Sequence, residues 1–154
     1  TSPQEQIGKL EKVGYNEVIK EMESFEKSIL KDKFESAKVI TPNGDIFELI
    51  GDARNVDPTE LGIDLTGAYI THNHPEGLHD FGFSNDDFAF FTANNLKLLR
   101  AIDEKYIHEL TTDLFDMGFE DIDINDFSNY QLIKQLEKSK SIGLRYRRLL
   151  NDKR

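Results

Sequence analysis

The spacing of apolar positions changes along the chain, and each change marks an element. Between Tyr15 and Leu30 the residues Tyr15, Val18, Ile19, Met22, Phe25 and Ile29 fall on one face at helical spacing, which predicts an amphipathic helix. The pattern then changes to β-prone runs. "SAKVI" and "IFELI" flank Pro42-Asn43-Gly44, a strong turn signal, and predict a hairpin. "GDARNVDPTELGIDL" reads as a connecting loop, with one helical turn expected after Asp57-Pro58 because proline suits the first helical position. "TGAYITHNH" reads as a third strand, apolar at first and polar where it ends.

Ser84 to about Leu99 is expected to be a helix, with Asp86 and Asp87 in its first turn, where the helix dipole favours negative charge. "AIDEKYIHEL" reads as another strand, and Asp113 to Asp126, with six acidic residues and no basic one, as an irregular link. Gln131 to Leu150 is expected to close the chain as a helix. There is no internal repeat and no low-complexity tract. The expected fold class is α/β, a small mixed β-sheet flanked by helices with a C-terminal helical extension. Residues 1–112 are expected to form a metal-binding domain preceded by an N-terminal helix, and residues 113–154 an acidic link and a basic helix.

Composition narrows the function classes. A chain of 154 residues with 38% hydrophobic residues can bury a real core. No apolar run approaches the roughly 20 residues of a membrane-spanning helix, and no signal peptide is visible, so no membrane partner is expected and a cytoplasmic location is the default. The chain starts Thr-Ser-Pro without a methionine, as a piece of a longer protein would. It has no cysteine, so thiolate chemistry is excluded and any metal needs His and carboxylate ligands.

The net charge is −10, distributed as +6 on residues 131–154 and −16 on the first 130. An acidic body argues against nucleic acid as the main partner. The basic tail fits the solvated face of a helix or a dock for something acidic.

Candidate chemistry centres on "ITHNHPEG". Residues two apart on a strand face the same side, so His72 and His74 can address one ion. Pro75 cannot extend the ladder and leaves both imidazoles at the strand's open end. Ser84-x-x-Asp87 then opens the next helix, where a carboxylate can face back toward the strand end. Two neutral imidazoles and one carboxylate make a three-ligand zinc site with a fourth position open to water. Each part alone has a plainer reading: His-x-His as hydrogen-bonded surface, and Ser-x-x-Asp as a capping signature.

His72-Asn73-His74-Pro75, a glycine-containing loop and Ser84-x-x-Asp87 together resemble the JAB/MPN (JAMM) metalloprotease motif. The wording "HNHP" is most similar to the RadC-type branch and to JAB-like domains of phage and toxin proteins. The resemblance covers about Glu26 to Leu110. It implies the layering of that family, zinc held by His72, His74 and Asp87, and Ser84 stabilising the tetrahedral intermediate. It also implies a glutamate general base at the start of the strand after the first helix, where Glu35 stands; Glu26 and Glu48 are weaker candidates.

The implied activity is zinc-dependent hydrolysis of amide or isopeptide bonds in a protein or peptide substrate. The loop "PEGLHDFGF" is longer by two than the family's usual spacing, which leaves Asp86 or Asp80 as substitutes for Asp87. His79 and His108 are expected to stand apart from the site.

The alternatives belong to other classes. A catalytically silent JAB-like scaffold or interaction module is one, although such domains typically lack the ligands that this chain keeps. An HNH-type nuclease is another, but that motif spreads its residues over a ββα unit. "DIDIN" opens like a calcium loop and then fails, with Asp126 in the glycine position and Leu132 in place of the final glutamate. Substrate and oligomeric state are not legible.

Overall fold

A mixed sheet runs through the molecule, with a helix on each face. The computed structural model describes residues 6–53, 55–75, 83, 85–111, 120–121 and 145–151. In chain order its elements are β1 (Gly8–Lys9), α1 (Tyr15–Ile29), β2 (Ser36–Ile40), β3 (Asp45–Ile50), a 3₁₀ turn (Pro58–Leu61), β4 (Tyr69–Asn73), α2 (Asn85–Ala93), β5 (Leu98–Ile102), β6 (Tyr106–Thr111), β7 (Glu120–Asp121) and β8 (Arg145–Leu150). The strands lie in the order β1-β3-β2-β4-β5-β6-β8-β7. Neighbours are antiparallel except β4 and β5, which are parallel. Among the described residues, no helix is long and apolar enough to cross a membrane.

Strand alternation divides the core in two. Val39, Ile70, Leu99 and Leu110 share one face and pack with Phe83, Phe88 and Phe91, the last two from α2. Ile40, Tyr69 and Leu98 point the other way, against Val18 and Met22 of α1. Phe25 and Ile29 continue that contact onto Ile102 and Ile107. Burial of these side chains contributes about 1.5–3 kcal/mol each and secures both helices to the sheet.

The expected helix α1, the hairpin and the turn after Asp57 all form. The Asp57 carboxylate accepts from Thr59 N–H at 3.0 Å, and Gly62 closes the turn in the left-handed region at φ 67°. Gly44 turns the hairpin at φ 94°.

Two expectations are corrected. The helix expected to reach Leu99 ends at Ala93, because Asn95 takes a left-handed φ of 50°. Leu96 N–H then donates to Phe91 O and Asn95 N–H to Thr92 O, a Schellman closure that satisfies the last carbonyls. The apolar run that follows is the buried strand β5, so "LLRAI" and "YIHELT" form a hairpin rather than a helix end and one strand. The helix expected over Gln131 to Leu150 is the second case. Residues 131–144 lie outside the described ones, and Arg145–Leu150 is a strand paired along β6. Most of the expected acidic link also lies outside them, and Glu120–Asp121 pairs with β8.

Candidate metal centre

His72 sits in the middle of the sheet, between Ala37 of β2 and Ala101 of β5. Both neighbours are alanines, which leaves room above the sheet for an imidazole. His74, two residues on, faces the same side, and its backbone N–H donates to Ile102 O at 2.9 Å. The two Nε2 atoms approach to 2.8 Å, with ring centroids 4.7 Å apart. α2 covers this face and presents Asp87 from its first turn. The Asp87 carboxylate stands 3.3 Å from His72 Nε2 through Oδ1 and 3.4 Å from His74 Nε2 through Oδ2.

Glu35 precedes β2 on the same face as Ala37, and its carboxylate lies within 4.8 Å of both histidines' nitrogens. Three separate stretches therefore converge: the entry to β2, the end of β4 and the start of α2.

Burial would push the Asp87 carboxyl upward, but the charge and hydrogen bonding of His72 and His74 override it and hold the group well below the usual carboxylate range. Asp87 is thus an anion at neutral pH. Ligand atoms about 2.0–2.1 Å from a tetrahedral zinc stand roughly 3.3 Å from one another. Both Asp87–imidazole distances match that edge, and the imidazole pair is shorter than it by about half an ångström. The donor set of two imidazoles and carboxylates suits zinc.

The other candidates fall elsewhere. Glu26 is buried on the opposite face of the sheet, bound to Arg100 through both carboxylate oxygens at 2.8 Å. Glu48 pairs with Lys38 at 3.1 Å, on that same opposite face. Asp86 is exposed. Ser84, His79 and Asp80 lie outside the described residues.

His108 is on β6 as expected and points to the histidine face, one strand beyond Ala101. Its Nδ1 is 2.8 Å from the Tyr146 hydroxyl, and its buried Nε2 has no hydrogen-bond partner among the described residues. Burial pushes its pKa down to about 4 against the opposing influence of Asp103, so it is neutral at pH 7.

Two arrangements escaped the sequence reading. One is the buried network behind β4. Arg100 binds Glu26 and, at 2.6 Å, Glu109; Glu109 also accepts from Tyr15 at 2.9 Å and from Arg147 at 2.6 Å, while Arg147 donates to the Tyr15 hydroxyl. The signal was present: Glu26 falls on the apolar stripe of α1, and Arg100 interrupts an apolar run.

The other is Asn73. Its side-chain oxygen accepts from Ser36 N–H at 2.7 Å, and its amide nitrogen donates to Phe34 O at 3.0 Å and Ile29 O at 3.3 Å. Its position between the two histidines was the available hint.

Comparison of this chain with protein-family models, with curated proteins and with solved structures finds no match.

Proposed function

We propose that the chain is a zinc-dependent hydrolase of amide or isopeptide bonds, with JAB/MPN-type layering and a JAMM-type site. One observation carries the reading: His72 and His74 have Asp87 beside them at 3.3 and 3.4 Å and Glu35 within 4.8 Å, from stretches far apart in sequence, the first three expected on chemical grounds and Glu35 through the resemblance. His72, His74 and Asp87 hold the metal, which when bound supplies Lewis acidity for a scissile carbonyl and lowers the pKa of water to roughly 7.

The protein's own groups do the rest. Glu35, beside the ligands without being required as one, accepts a proton from water and returns it to the leaving amine. The resemblance assigns the oxyanion-donating role to Ser84, an interaction whose loss costs about 3–4 kcal/mol in comparable sites. Asp87 is an anion at neutral pH, the form in which a carboxylate ligates. The substrate is a protein or peptide, and the acidic body favours a basic one.

The deciding measurement is zinc content by elemental analysis of the purified chain beside His74→Ala prepared in the same way. About one zinc per chain, lost in the variant, is expected. No zinc in either protein after reconstitution would overturn the reading and leave an interaction module of the same shape.

A further inference from the structure

Glu35 is useful as a base only if its carboxylate stays beside the histidine pair, yet it sits where the regular pairing of β2 ends. The β2–β4 ladder runs from Ile40↔Tyr69 to Ala37↔His72 and stops. On the β3 side, the backbone of Glu35 remains paired: its N–H donates to Asp52 O at 2.7 Å, and its carbonyl accepts from Gly51 N–H at 2.8 Å. On the β4 side a side chain takes over. The carboxamide of Asn73 receives Ser36 N–H and donates to Phe34 O and Ile29 O, which uses one acceptor and both donors.

A carboxamide carries the same C=O and N–H groups as a peptide, so it can continue a ladder that the backbone no longer makes. Asn73 is 2% exposed, and its bonds grip the residues immediately before and after Glu35. It also stands directly between His72 and His74, with its side chain on the opposite face of the strand.

We infer that Asn73 is a positioning residue for the general base, and that it ties the distance between Glu35 and the metal ligands to a single strand end. The inference rests on the proposed metal site and deepens it. Neither Ser nor Asp at position 73 supplies this bridge: the first is too short, and the second has no N–H to give to Phe34 O or Ile29 O.

The test loads the full chain with cobalt(II) in place of zinc and follows its visible spectrum against pH. The midpoint of that titration reports ionisation at the open metal position. A neighbouring carboxylate opposes a second negative charge, so Glu35→Gln should keep about one cobalt and lower the midpoint by about one unit. Asn73→Ala should keep cobalt and lower the midpoint by a fraction of that shift. In a Glu35→Gln background the same change should add nothing, because Asn73 acts through Glu35 alone.

Asn73→Thr, which favours strand but is too short to reach Phe34, serves if the alanine variant does not fold, and the same outcomes decide. A midpoint in Asn73→Ala equal to wild type, while Glu35→Gln moves it, would overturn the role of Asn73 and leave the metal site standing. An additive shift in the double variant would also overturn it, by showing an effect independent of Glu35. No cobalt bound by wild type, or no shift in Glu35→Gln, would overturn the site reading and this inference together.

Discussion

Behind β4, on the face that α1 covers, Glu26 and Glu109 meet Arg100 and Arg147; in front of its C-terminal end, Glu35 and Asp87 meet His72 and His74. Both clusters are polar and largely buried, and only one strand separates them. The first is balanced, with two guanidinium groups for two carboxylates and the Tyr15 and Thr71 hydroxyls added. Arg100 stays charged because Glu26 and Glu109 outweigh the effect of its burial. The second sets two carboxylates beside two imidazoles, all four of them side chains able to bind a metal. A balanced network has nothing to gain from a cation. A converging donor set does.

The largest way to break the comparison is to unbalance the rear network. Arg100→Met leaves two carboxylates buried without their shared cation. This should lower unfolding free energy by about 3–5 kcal/mol in urea denaturation. A loss below about 1 kcal/mol would mean that the two acids are already neutral or otherwise satisfied. In chain that remains folded, the zinc content should be unchanged.

On the front face the proposed metal site raises a sharper question, which carboxylate would be the ligand, since both stand close to the histidines. Loss of an outer partner of a metal site weakens affinity about 10–100-fold, and loss of a ligand should exceed that. Asp87→Asn should therefore weaken zinc by more than about 100-fold in a chelator competition, and Glu35→Gln by no more than about 10–100-fold. The reverse order would exchange the two roles.

The two regions also differ in how far the sequence disclosed them. The front site was legible because His-x-His, Pro75 and Asp87 are local signals, and a strand end has chemistry of its own. Glu35 was reachable only through the family pattern, since nothing in "KFESA" distinguishes it from an exposed strand residue. The rear network left only hints, an acid on the apolar stripe of α1 and an arginine inside an apolar run, and nothing joined them: Glu26 and Arg100 are 74 positions apart, and Arg147 comes from a segment read as a helix.

That misreading has a physical cause. "LRYRRLL" has helix-forming residues and a basic face, and only its pairing with β6 brings Arg147 to Glu109 and Arg148 over the Tyr106 ring at 4.4 Å. The overrun of α2 has a similar origin. A continuous apolar run does not separate a buried strand from a helix by period alone, and the left-handed Asn95 that stops the helix is an ordinary residue in the sequence.

A smaller effect comes from pH. His108 shares the front face, with Asp103, Arg148 and His74 as the charged or titratable groups that act on it. Its pKa of about 4 in the folded chain lies below the unfolded value, so between about pH 6.5 and 4 the unfolded chain binds more protons. Stability should fall on acidification through that window, by up to about 3 kcal/mol from this group. His108→Gln, neutral throughout and able to bond the Tyr146 hydroxyl, should flatten the slope. An equal slope in the variant would show that His108 is not the source of the acid sensitivity.

The smallest change is also the cleanest test of whether the two faces are independent. Thr71 lies between Ile70 and His72, and its hydroxyl donates to Glu26 at 2.6 Å on the rear face. Glu26 keeps both bonds to Arg100 when that hydroxyl is removed, so Thr71→Val should cost about 1 kcal/mol, the typical worth of one hydrogen bond to a group that stays otherwise satisfied. Valine also suits a strand, so the backbone of β4 should hold its register. If the two clusters are separate, zinc affinity stays at the wild-type value while the urea midpoint drops. If zinc weakens in step with stability, the strand transmits strain from one face to the other. The rear network would then be part of what holds His72 in place.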